Sequence, residues 1–169
     1  MFNDLGLEKI INYLEIYDNY FLFIIMYLEH LNFPGLPAGL IMPAVGILVS
    51  QGTMPMIRAM LISLMGGVLG SISLYAIGYH FGFPLLNWLS GKSKKTKKTA
   101  DKLFVYFDKY GNKSVLFVRF IPVARTIISF VAGVAKLNIM DFVVNSAIGI
   151  FIWNLVLVGL GYFFGYRFL

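Results

Sequence analysis

The sequence predicts an all-α integral membrane protein with one membrane domain over residues 1–169. Three observations lead to this class. Only 13% of the residues are charged, whereas soluble domains carry about 25%. Hydrophobic residues make up 59% of the chain. Two stretches, residues 57–82 and 141–165, are apolar over the roughly 20 residues that a helix needs to cross a bilayer.

The charges are unevenly distributed. Eight of the fourteen basic residues lie between Lys92 and Lys113, whereas the first 31 residues hold five acids and one lysine. This asymmetry is typical of the positive-inside rule and not of a nucleic-acid-binding face, so no nucleic acid is expected as a partner. The basic loop at residues 91–102 is therefore predicted to be cytoplasmic. Its segment Lys92–Lys102 is expected to contact anionic lipid headgroups.

Two features are missing from the sequence, namely cysteine and the pattern of a signal peptide. The chain contains no cysteine, which excludes disulfides and thiolate metal sites. The first residues lack the basic region and the cleavage site of a signal peptide, so none is expected.

The first half begins with an amphipathic pattern and continues as a broken apolar region. Residues 5–18 have the three- and four-residue spacing of an interfacial helix. Two apolar runs, 20–28 and 40–49, are each too short to span a bilayer, and Pro34 and Pro37 lie between them. This pattern predicts a re-entrant helical hairpin. One kinked span through Pro34 is the alternative.

Residues 57–82 are predicted to form the first transmembrane span. The span carries small residues that would let another helix approach closely, namely Gly66, Gly67, Gly70, Ser71 and Ser73. After the basic loop, apolar and charged residues alternate over 103–109. This second pattern predicts another interfacial amphipathic helix.

The second half repeats the organisation of the first. Two short apolar runs surround Pro122, Gly133 closes the second hairpin, and the last span follows at 141–165. Pro34 and Gly46 correspond to Pro122 and Gly133 with offsets of 88 and 87, and the Gly-Tyr pairs near the two span ends differ by 83. The repeats cover about 20–82 and 112–165. If the hairpins re-enter and the spans cross, these halves form an inverted repeat.

Three ionisable residues in apolar surroundings are the candidate site. Glu29 precedes the first hairpin turn, and Arg119 and Arg125 flank the second. An arginine at the bilayer centre costs about 2.5–3.5 kcal/mol on insertion scales, so such groups face the bundle interior and pair with one another. Two cations against one acid favour an anionic ligand, and the arginine fork suits a phosphate. The alternative is a structural ion pair that locks the hairpins together.

The second-half motif resembles the DedA family, also called SNARE-associated or VTT-domain membrane proteins. The motif is F-V-R-F-I-P-V-A-R-T at 117–126, followed by Ala-Gly at 132–133 and a closing G-Y-x-x-G at 161–165. The resemblance implies opposed re-entrant hairpins and movement of a phosphate-bearing lipid across the plasma membrane. The lipids named for the family are undecaprenyl phosphate and phosphatidylethanolamine, and some members depend on protons.

Matched position by position, Glu29, Arg119 and Arg125 correspond to the family's essential acid and arginines. Two departures are present. Gly39, which cannot titrate, stands where many members carry a second acid, so coupling to protons as a further partner stays open here. The sequence also ends four residues after Gly165, where family members continue into another helix.

The resulting hypothesis is a multi-pass plasma-membrane lipid flippase or scramblase that is not an enzyme and needs no metal or cofactor. Arg119, Arg125 and Glu29 would form the substrate-binding site, in which the two arginines hold the lipid phosphate and Glu29 counterbalances their charge. The hairpin turns, marked by Pro34, Pro37, Pro122 and Gly133, would gate access. Two alternatives stay open: an assembly protein whose Glu–Arg pairs only lock the hairpins, and an intramembrane lipid-phosphate hydrolase.

Overall fold

The computed structural model describes residues 19–32, 39–92, 94–111, 114–125 and 127–167. These residues form helices joined by turns, which confirms the predicted all-helical class for this part of the chain. The helices are α1 (residues 19–30), α2 (Ile41–Ser50), α3 (Met56–Lys92), α4 (Lys94–Tyr110), α5 (Ser114–Val118), α6 (Pro122–Arg125), α7 (Ile128–Val134) and α8 (Ile139–Arg167). The predicted N-terminal interfacial helix and the turn with Pro34 and Pro37 lie outside the described residues.

Two helices contain segments that are long and apolar enough to cross a bilayer. The segments are Met56–Gly82 of α3 and Ile139–Gly165 of α8, with mean hydropathies of 1.9 and 2.0. Only 39% and 28% of their most apolar windows are buried inside the protein, whereas the core helix of a soluble protein would be mostly buried. Both predicted spans are therefore present to within two residues at each end. Their outward apolar faces fit contact with lipid.

The basic segment predicted as a loop at 91–102 is largely helical. α3 continues to Lys92 beyond a kink at Gly82, where φ is 49° and ψ is −141°, and α4 begins at Lys94. Lysine is a good helix former, so a run of lysines on a solvated face does not oppose a helix. Leu103 and Phe107 are buried while Lys109 is exposed, which confirms the amphipathic pattern at 103–109.

The first close helix crossing joins α2 to α8. A Cβ atom built on Gly46 would overlap the carbonyl oxygen of Val158, and one built on Gly161 would overlap the carbonyl oxygen of Pro43. Only glycine permits two backbones to approach this closely, as in small-residue packing of membrane helices. The short helix α2 is thus held directly against the long helix α8.

A second crossing of the same kind joins α7 to α3. A Cβ on Gly133 would overlap the carbonyl oxygen of Tyr75, and one on Gly78 would overlap that of Phe130. Gly133 therefore lies inside α7 at a helix contact. The prediction that Gly133 lies at a hairpin turn is wrong, because this glycine lies within a helix and permits close packing there.

The small-residue face of α3 also accommodates α1. Cβ atoms on Gly66 and Gly70 would overlap or crowd the backbone carbonyls of Phe23 and Tyr27. The Tyr27 hydroxyl lies 3.0 Å from the Ser73 hydroxyl across the same interface. The sequence-based interpretation of this face as a packing surface is confirmed.

Buried apolar side chains form two clusters, each next to one of the glycine crossings. The cluster beside the α2–α8 crossing includes Leu22, Met26, Ile41, Val45, Leu48 and Val158. The cluster beside the α3–α7 crossing includes Tyr75, Leu103, Phe107, Ile128, Val131 and Phe142. Each cluster therefore contains residues from both halves of the chain.

Candidate functional site

One of the two arginines predicted to belong to the site forms a buried ion pair. Arg125, the last residue of α6, donates from Nη2 to Oε1 of Glu29 at 2.5 Å. The Glu29 side chain is 4% exposed and that of Arg125 is 14% exposed. The Arg125 guanidinium also lies over the Trp153 ring, 5.2 Å from its centroid. This arrangement ties α1, α6 and α8 together and neutralises Arg125.

The other arginine has a different environment. Arg119 lies in the turn after α5 and is 5% exposed. Its Nη2 donates to the hydroxyl oxygens of Ser71, Ser129 and Ser146 at 3.2, 3.3 and 2.7 Å. Its guanidinium carbon lies 5.9 Å from the centroid of the Phe142 ring. Within the described ranges, no acidic side chain pairs with Arg119, so its charge is solvated only by hydroxyls and an aromatic ring.

Local backbone chemistry places the two arginines on either side of a helix break. The amide of Phe120 donates to the carbonyl of Phe117, and that of Ile121 to the carbonyl of Val118, which closes α5 with a tight turn. Pro122 then begins α6, a position where its missing N–H group costs no helical hydrogen bond. The predicted break at Pro122 is therefore present.

Gly149 of α8 makes room for Arg119. A Cβ atom at this position would lie 2.9 Å from Cδ of Arg119 and 3.5 Å from Cδ1 of Leu116. Gly149→Ala should therefore displace the Arg119 side chain and lower the free energy of unfolding by about 1 kcal/mol, at the low end of overpacking effects. Chemical unfolding in detergent micelles measures this change.

Gly159→Ala is the matched control for this substitution. It lies on the same helix, and a Cβ there meets nothing within 4 Å. Because alanine is the better helix former, this variant should be as stable as the wild type or slightly more stable. Equal stabilities of the two alanine variants would show that Gly149 does not hold space for Arg119.

The three serines around Arg119 are far apart in the sequence and form no motif there. Ser71 was assigned to the packing face of α3, and Ser146 was not singled out. The 83-residue offset between the spans could have identified both positions, because it relates Ser63 to Ser146 and Ser71 to Asn154. The structure supports this relation, since Asn154 donates from Nδ2 to the Ser63 hydroxyl at 3.2 Å.

Metal ligands do not cluster in the part of the chain that the structure describes. No group of three or more His, Asp or Glu side chains there could hold a metal ion. His30 directs Nδ1 to the carbonyl oxygen of Met26 at 3.0 Å, within its own helix. The chemistry available at this site is therefore that of two guanidinium groups, one carboxylate, three hydroxyls and the imidazole of His30.

Comparison with known protein families identifies the chain. A family model described as the VTT domain matches residues 33–163. The chain belongs to the VTT-domain (DedA) family. Both arginines of this VTT-domain protein lie inside the matched range, whereas Glu29 precedes it. Members of this family are membrane proteins, in agreement with the two apolar helices.

Three curated relatives of this VTT-domain protein carry three different names. Undecaprenyl phosphate transporter A of Bacillus subtilis (strain 168) is 32% identical over 147 residues, which are 82% of this chain and 74% of that protein. Protein DedA of Escherichia coli (strain K12) is 31% identical over 134 residues, 78% and 61% of the two chains. An alkaline phosphatase-like protein of Lactococcus lactis subsp. cremoris (strain MG1363) is 33% identical over 134 residues, 76% and 63%. No solved structure matches the chain.

Proposed function

We propose that this VTT-domain protein moves a phosphate-bearing lipid, such as undecaprenyl phosphate or phosphatidylethanolamine, across the cytoplasmic membrane. The observation that carries the proposal is Arg119, a buried cation that pairs with no acid among the described residues. A buried charge without a counter-ion is costly, and an anionic ligand removes that cost. The name of the Bacillus subtilis relative, undecaprenyl phosphate transporter A, supports a lipid phosphate as this ligand.

The architecture that we propose is an inverted repeat in which each half contributes a re-entrant hairpin and one span. The two glycine crossings support this arrangement. Gly46 and Pro43 of the first crossing correspond to Gly133 and Phe130 of the second, each 87 residues later. The contacted backbone on the long helices shifts by 83 residues, from Tyr75 to Val158. The short helix of each half thus packs on the long helix of the other half, as expected when two opposed repeats interlock.

Each charged residue has a distinct proposed role. Arg119 and Arg125 hold the phosphate, and Glu29 holds Arg125 in place when the site is empty. The turn predicted from the sequence around Pro34 and the helix break at Pro122 gate access from opposite faces of the membrane. The buried Glu29–Arg125 pair also favours a second candidate, an assembly protein in which this pair only fixes the helices.

Lipid movement is tested in liposomes that contain the reconstituted protein and a polyprenyl phosphate in both leaflets. A soluble phosphatase added outside releases phosphate from the outer leaflet alone, so complete release requires lipid movement. The wild type should give nearly complete release. Arg119→Gln and Arg125→Gln should slow the second phase by roughly tenfold or more, because each removes a charge-assisted hydrogen bond to the ligand.

Arg58→Gln is the control, because Arg58 is an exposed arginine at the start of α3 and the substitution is chemically the same. Wild-type rates in both site variants would contradict the assigned roles. Phosphate release without added phosphatase would instead indicate a lipid-phosphate hydrolase.

A further inference from the structure

A buried hydroxyl cluster surrounds Arg119 and draws its members from three helices. Ser71 comes from α3, Ser129 from α7 and Ser146 from α8, and none of the three is more than 2% exposed. All three hydroxyl oxygens lie within 3.3 Å of Nη2 of Arg119. The cluster therefore brings together both long helices and the second hairpin at one guanidinium group.

This cluster has more donors than acceptors. Nη2 of Arg119 has two protons and contacts three hydroxyl oxygens, so one proton is shared between two of them. Nε of Arg119 is buried and has no acceptor among the residues described. Each serine uses its oxygen as an acceptor, so its own proton points away from the guanidinium. Within the described residues, none of these three hydroxyl protons has an acceptor.

Two other serines of α3 differ from Ser71, because each donates its proton to a backbone carbonyl. Ser63 donates to the carbonyl oxygen of Met60 at 3.1 Å, and Ser73 donates to that of Leu69 at 3.0 Å. Such bonds to the preceding helical turn are the usual way in which a buried serine satisfies its proton. Ser71 makes no bond of this kind to a described residue. The hydroxyls around Arg119 are thus available to donate to a further group.

We propose that Ser71, Ser129 and Ser146 form, with Arg119, a binding site for a tetrahedral phosphate group. The proposal rests on the function proposed above and specifies the groups that bind the phosphate. A phosphate has several strong acceptor oxygens and negative charge, which match the four unpaired N–H and O–H groups and the uncompensated guanidinium. The ligand is either a lipid headgroup or free phosphate.

The site is closed in this structure because Arg119 is almost fully buried. Entry of a phosphate requires the turn at 119–121, which carries Arg119, to move away from α8. The ion pair of Arg125 with Glu29 does not involve the hydroxyl cluster, so Arg119 is the arginine that contacts these hydroxyls in the closed site.

Titration calorimetry on the full chain in detergent tests the site with geranyl phosphate, inorganic phosphate and geraniol. Ser71→Ala, Ser129→Ala and Ser146→Ala should each raise the Kd of geranyl phosphate by roughly tenfold, the effect of losing one hydrogen bond to a charged group. Ser63→Ala, a buried serine of α3 outside the cluster, should bind as the wild type does. Geraniol, which lacks the phosphate, should not bind at this site.

The inorganic phosphate experiment distinguishes the two sources of ligand. If inorganic phosphate binds and the same serine variants weaken this binding, the result supports the site with free phosphate as its ligand. Binding of geranyl phosphate alone supports the site with a lipid headgroup as ligand. Kd values within about twofold of the wild type in all three alanine variants would overturn the proposal.

Two provisions keep the test decisive. If an alanine variant does not fold, the corresponding cysteine variant replaces it, because a thiol has nearly the size of a hydroxyl but is a weak donor. Wild-type transport with unchanged affinity in the serine variants overturns the hydroxyl site and leaves the proposed function intact. Phosphate binding that depends on the serines, in a wild-type protein that moves no lipid, supports the site and overturns the proposed function.

Discussion

Replacing Arg125 by alanine should lower the free energy of unfolding by about 3–5 kcal/mol, the usual cost of removing one partner of a buried ion pair. The substitution leaves Glu29, whose side chain is 4% exposed, as a buried carboxylate without its cation. It also removes the guanidinium from the face of Trp153. Unfolding of the purified protein in mixed micelles, followed by tryptophan fluorescence, measures the loss.

A charge-reversed double variant separates the structural role of this pair from its role in binding. Glu29→Arg combined with Arg125→Glu restores opposite charges at the same two positions, so it should recover part of the stability that Arg125→Ala loses. Lipid transport should remain low, because the cation no longer lies on α6 beside the second hairpin. Recovery of transport together with stability would show that the Glu29–Arg125 pair is structural and that Arg125 does not bind the phosphate.

Gly161→Ala should destabilise the protein by about 1–3 kcal/mol, in the range of overpacked cores. The new methyl group would overlap the backbone carbonyl of Pro43, and a backbone atom cannot rotate away as a side chain can. α2 must therefore separate from α8. Gly159→Ala, two residues away on the same helix with nothing within 4 Å, is the control.

Gly78→Ala extends this prediction to the second crossing. Its methyl group would overlap the carbonyl of Phe130, so a loss of similar size is expected. Unfolding titrations of the three alanine variants under the same conditions give the comparison. A Gly161 variant as stable as the Gly159 variant would show that α2 and α8 tolerate a wider separation.

The features that follow from local sequence were predictable. The two spans are uncharged over more than a bilayer thickness, and hydropathy alone located them at 57–82 and 141–165. The break at Pro122 follows from the missing amide proton of proline and the crowding of the preceding residue. Glu29 and the arginines were identified because ionisable groups are costly in apolar surroundings.

The pairing of the charges was not predictable, because it depends on how the helices are rotated and packed. The sequence predicts that Arg119 and Arg125 act together. In the structure Glu29 pairs with Arg125 alone, and hydroxyl groups surround Arg119. Serines on membrane helices usually serve packing, so apart from the 83-residue offset Ser71 has no distinguishing signal. The prediction of a loop at 91–102 is wrong, because a run of lysines does not by itself indicate a loop and lysine is a good helix former.

The crossing of α2 with α8 also determines the order in which the protein can be assembled. α2 ends at Ser50, and α8, which contains the surface for Gly46, begins only at Ile139. At a synthesis rate of about 5–20 residues per second, α2 waits several seconds in the membrane before its partner leaves the ribosome. During that time its backbone face at Gly46 must be covered by lipid or by the insertion machinery. Docking of the first short helix is therefore a late step that follows the synthesis of α8, and the first half of the chain cannot form this crossing alone.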